Sequence, residues 1–82
     1  MSGLSFAEVE AQLAWAKSDQ NKIKVLERLL SSGKVRPEDV SACLMTLANL
    51  CRLTKQYEKA ARYYDLVGFA ADASKARELS KH

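Results

Sequence analysis

The sequence predicts an all-α fold, two antiparallel helical hairpins followed by a short tail helix. Two observations carry this. Three glycines and one proline among 82 residues are too few to punctuate a many-turned β domain. Apolar residues also recur at spacings of three and four along most of the chain, which is the period of an amphipathic helix.

Ser5 followed by Glu8 is a capping box, with Leu4 and Val9 placed as a hydrophobic staple around it. A first helix is therefore expected from about Phe6 to about Lys17, burying Phe6, Val9, Leu13 and Ala16. Its other side gathers Ala7, Ala11, Ala14 and Trp15, so the helix is either central or keeps a second surface for a partner. Ser18-Asp19 caps a second helix ending near Ser31, with Ile23, Leu26, Leu29 and Leu30 inward and Gly33 as a left-handed stop.

Pro37 opens a third helix at its first position, and Glu38 and Asp39 lie beside the positive end of its dipole. Val40, Leu44, Leu47 and Cys51 make its stripe, widened by Cys43 and Leu50, and the helix is expected to end near Thr54. Tyr57, Ala60, Ala61, Tyr64 and Val67 mark a fourth helix, supported by a Glu58–Arg62 pair at the favourable spacing. Gly68 is expected inside that helix, where it costs about 1 kcal/mol relative to alanine and bends it. From Asp72 a further turn or two is expected, with Ala76 and Leu79 inward. In this reading 1–82 is one domain: a hairpin over 5–33, a second over 37–74, and a tail or capping helix over 73–82.

Charge is unevenly placed along the chain. Residues 1–41 hold six Lys/Arg and six Asp/Glu, a balance of 0, and residues 42–82 hold seven against four, giving +3. The N-terminal stretch carries Glu8 and Glu10 and has no basic start before an apolar run, so no signal peptide is expected. The longest uncharged stretch, Val40 to Cys51, is twelve residues, short of the ~20 that span a bilayer. Cys43 and Cys51 stand two helical turns apart, about 12 Å at 1.5 Å per residue, too far for a mutual disulfide. Free thiols on an apolar face imply a reducing compartment, and the expectation is cytoplasmic.

Catalytic chemistry has few candidates. The single histidine, His82, stands last, and the two cysteines are isolated from it and from any metal-ligand spacing. A thiol nucleophile needs a placed base, the carboxylates are scattered, and no glycine-rich loop is present to hold phosphate. The expectation is a non-enzyme with no metal and no cofactor.

Residues 41–74 look like a tetratricopeptide repeat, a helix–turn–helix unit of about 34 residues. In the first helix of such a unit a large apolar residue is followed three later by leucine and then by a small residue, and Leu44, Leu47 and Ala48 stand there. Asn49 occupies a slot where consensus repeats often carry asparagine, Cys51 and Tyr57 take the sizeable and aromatic places, and Ala60 is the small residue that lets the helices touch. Tyr63-Tyr64 fits the aromatic slot after it. The departures are Lys55 at the turn glycine, Val67 at the second small position and Asp72 at the terminal proline. Lys55 implies either a different turn or a left-handed lysine held at some cost. Residues 7–40 keep the hairpin length but little of the motif.

The resemblance implies a protein-binding module, because such units need about three copies to bury their apolar faces and this chain has at most two. A second copy of the chain or another protein would complete it. In size and architecture the chain resembles the small co-chaperones of this family, such as those guarding needle subunits of bacterial type III secretion. The ligand-facing stripe implied for the third helix is Ala42, Met45, Asn49 and Arg52. Met45 would supply an adaptable apolar contact, while Asn49 and Arg52 would bond a backbone or carboxylate. A solvated helix face accounts equally for that stripe. Trp15 reads either as a cap on the bundle or as a docking anchor beside Ala7, Ala11 and Ala14, and Tyr63 as a second exposed aromatic.

The expected function is thus an adaptor or small chaperone binding a helical or extended segment through Met45, Asn49, Arg52 and Trp15. The alternative is nucleic-acid binding by the basic surface of residues 52–62 and 75–81, where Arg52, Lys55, Lys59 and Arg62 are joined by Lys75, Arg77 and Lys81.

Overall fold

The computed structural model describes residues 3–81. Among these the protein is all-α: α1 Phe6–Leu13, α2 Asp19–Ser31, a 3-10 turn Pro37–Asp39, α3 Val40–Leu53, α4 Tyr57–Leu66 and α5 Ala70–Ser80. It divides into two compact units, Met1–Cys43 and Leu44–His82, the division falling inside α3.

In the first unit the capping box forms as expected. The Ser5 hydroxyl accepts from the Glu8 N–H at 3.2 Å, and the Glu8 carboxylate accepts from the Ser5 N–H at 2.9 Å. Those bonds to the ionised form hold the Glu8 carboxyl below its usual range. α1 packs on α2 and buries Val9 and Leu13, with Phe6 and Ala16 half-buried. It stops at Leu13, four residues before the expected end. Ser18 has to leave helical geometry to accept from the Asn21 N–H and start α2. The chain between closes on short bonds, Trp15 N–H to the Gln12 carbonyl and Ala16 N–H to the Leu13 carbonyl.

α2 has the expected bounds, with Ile23, Leu26 and Leu29 buried and Leu30 half-buried. A short parallel bridge pairs Leu4 with Val35. Leu4 donates to the Lys34 carbonyl and accepts from the Arg36 N–H. This clips the residues before α1 to the segment after α2. Pro37 opens a 3-10 turn rather than α3 itself, and α3 begins at Val40. Arg36 locks that turn by donating from Nε and Nη2 to Asp39 Oδ2 at 3.0 and 2.8 Å.

The second unit is built on small residues. α4 packs on α5; Ala60, Ala61 and Tyr64 are buried on one helix and Ala73 and Ala76 on the other. Three residues, Thr54 to Gln56, link α3 to α4. The Tyr64 hydroxyl donates back to Asn49 Oδ1 across that link, so α4 returns along α3. Arg77 on α5 is paired with Asp65 on α4. Two expectations are corrected in this unit. α5 begins at Ala70, before Asp72, and Leu79 is exposed rather than inward.

The third correction is Gly68, which ends α4 instead of bending it. Three helices close with the same pair of bonds, 6→1 and 5→2, around a residue of positive φ. After α2 the residue is Gly33 at φ +70°, after α4 Gly68 at +81°, and after α3 it is Lys55 at +66°. Lysine therefore adopts the left-handed conformation, at a cost of about 1 kcal/mol or more that glycine would not bear. Lys55→Gly should raise stability by about 1 kcal/mol, read as a higher urea midpoint at unchanged slope. A lower midpoint would show that the lysine side chain contributes more than the backbone strain.

Candidate functional site

The strongest apolar feature of the first unit is Trp15. It sits in the turn after α1 and is 86% exposed, the most exposed large apolar side chain described. Of the two sequence readings, the cap on a bundle is thereby corrected: a tryptophan this open buries almost nothing. Ala7, Ala11 and Ala14 are exposed as well, one stripe at spacings of four and three along α1 leading to the indole. Burying a Trp side chain contributes roughly 1.5–3 kcal/mol or more when it leaves water, so this arrangement stores contact energy that the chain alone does not use.

The stripe expected on α3 is only partly available. Ala42 and Arg52 are exposed and Met45 is half-buried. Asn49 is half-buried and its Oδ1 already accepts from the Tyr64 hydroxyl. Its place is therefore structural: it holds α4 against α3. The residue following Arg52, Leu53, is 66% exposed and extends the open surface. Periodicity had passed over Leu53 because it falls outside the buried stripe.

Cys43 and Cys51 are both buried, and no disulfide joins them. Burial pushes the Cys43 thiol up, with Asp39 and Glu10 adding in the same direction, so it stays protonated and a poor nucleophile. Among the described residues no group of three His, Cys, Asp or Glu side chains could hold a metal ion. His82 lies outside the described residues. No helix among the described residues is long and apolar enough to cross a membrane.

The basic residues of the second unit are Arg52 on α3, Lys55 in the link, Lys59 and Arg62 on α4, Lys75 and Arg77 on α5, and Lys81 after it. Lys55, Lys59 and Arg62 line an open groove of about 530 Å³ together with Tyr57 and Leu79. Tyr63, expected as an exposed aromatic, is half-buried and lines a smaller groove with Leu66. Lys75 lies outside these linings, and Arg77 is engaged by Asp65. No known family, curated protein or solved structure matches this chain.

Proposed function

We propose that the chain is a non-catalytic protein-binding module, an adaptor or small chaperone of tetratricopeptide-like build working in the cytoplasm. It holds an apolar helical or extended segment of a partner, of the kind an aggregation-prone secretion-system subunit presents. The observation that carries this reading is the open indole of Trp15 at the end of a stripe of small side chains. Alanines let a partner backbone approach α1 closely, and tryptophan is the residue type most enriched among binding hot spots. Met45 and Arg52 on α3 are further contacts in this reading, while Asn49 contributes by positioning α4. The buried, protonated Cys43 thiol and the scattered carboxylates support binding rather than catalysis.

The test is capture of partners by wild type and by Trp15→Ala, with circular dichroism on both. The variant should keep its helicity and melt within roughly ±0.5 kcal/mol of the parent, as exposed positions do. Its capture should fall by about 30-fold, equivalent to about 2 kcal/mol. Equal capture by both chains would remove Trp15 from the interface and overturn the reading.

A further inference from the structure

Three grooves adjoin on the surface of α4 and α5, and Arg62 lines all of them. The second, about 370 Å³, shares Glu58 and Arg62 with the largest and adds Arg77 and Lys81. The third, about 320 Å³, runs along Lys59, Arg62, Tyr63 and Leu66. Across the three linings five cations stand against one carboxylate, Glu58, and Arg77 is paired with Asp65 outside the grooves. Between the cations lie apolar side chains that are open to solvent: Leu79 at 39% and Leu66 at 68%.

Two features of the backbone add to this field. α4 begins in the largest groove and receives no side-chain cap from Gln56, so the positive end of its dipole faces the same surface. Lys55 stands there in a left-handed conformation, where glycine would relieve the strain but remove a cation from the groove.

We propose that this surface docks an acidic segment of a partner protein that also carries leucine-like side chains. The carboxylates would sit on Lys55, Lys59 and Arg62, and the apolar side chains on Leu79, Tyr57 and Leu66. The alternation of cation and apolar contact is what selects a peptide. A continuous phosphate backbone would meet Glu58, which lines the two larger grooves. Tyr57 and Tyr63 are half-buried, whereas base stacking uses open aromatic faces. The surface lies within Leu44–His82 and includes no residue of the first unit.

The experiment is a fluorescence anisotropy titration of the full chain with a labelled peptide of glutamates and interspersed leucines. The comparators are the same peptide with serines for leucines and an oligodeoxythymidylate of equal charge. The glutamate–leucine peptide should bind tightest. Its affinity should fall about tenfold or more in Arg62→Glu, and more than twofold in Lys55→Gly even as that variant gains stability. Lys24→Ala, on the exposed side of α2, should leave it unchanged. Equal affinity for the serine peptide would reduce the surface to a general anion attractor and overturn the proposal. Tighter binding of the oligonucleotide would assign the surface to nucleic acid instead. Unchanged affinity in both variants would remove the grooves from the interaction. A dimer in light scattering that Arg62→Glu dissolves would make the occupant a second copy, which likewise overturns an acidic partner.

Discussion

A chain carrying Leu26→Ala should melt roughly 15 °C below the parent. Leu26 lies in the middle of α2 and is 0% exposed, with Ile23 and Leu29 buried a turn to either side. Truncation removes the transfer free energy of the lost carbons and leaves a cavity, together about 3 kcal/mol for a fully buried leucine. A domain of this size has only about 4–12 kcal/mol of stability in total. The change therefore takes a quarter of it or more. At roughly 4–8 °C per kcal/mol for a small domain, the expected shift is large enough to read in one thermal scan by circular dichroism. Lys24→Ala on the exposed side of the same helix is the control and should move the melt by less than about 0.5 kcal/mol. A shift under about 5 °C for Leu26→Ala would show that the surrounding side chains close around the smaller residue.

Ala60→Leu should cost about 2–3 kcal/mol by the opposite mechanism. Ala60 is 0% exposed on α4, in a unit whose buried positions are mostly alanines. Overpacking forces neighbouring side chains off their rotamers or the helices apart, at a typical cost of 1–3 kcal/mol. Leucine is a good helix former, so α4 itself should persist and the loss should be of packing. The measurement that separates the two is near-ultraviolet circular dichroism alongside the far-ultraviolet signal. Lost tyrosine ellipticity with retained helicity is the expected result, because Tyr64 is buried one turn further along α4. A variant as stable as the parent would mean that α4 has room beside it and that its small residues are not packing-limited.

The parts of this fold that could be read from residues are those with local causes. Ser5 and Glu8 are three residues apart and make the capping box they promise, and Ser18 and Gly33 bracket α2 as the sequence suggested. Cys43 and Cys51 fall on the buried stripe of α3 because helical period alone puts them there. What was misread depends on competition between neighbours. The Ala14-Trp15-Ala16 run contains no helix breaker, yet α1 must end before it so that Ser18 can cap the next helix. Val67 fits the stripe of α4, which made Gly68 look interior, but Gly68 and Phe69 spend their N–H groups closing the helix. The candidate surfaces were half legible. A count of charges located Lys55, Lys59 and Arg62, but their common groove exists only because α5 packs beside α4. The engagement of Asn49 by Tyr64 is a contact across fifteen positions that no spacing rule announces.

Trp15 is the only tryptophan in the sequence, and its position makes it an optical probe of a selective kind. Its indole is already in water in the folded chain, so unfolding leaves its surroundings almost unchanged and its emission nearly silent. Covering it with an apolar segment would shift that emission to the blue and shield it from soluble quenchers. Intrinsic fluorescence of this protein therefore reports occupancy of α1 and leaves the folding transition to the tyrosines and the helical signal.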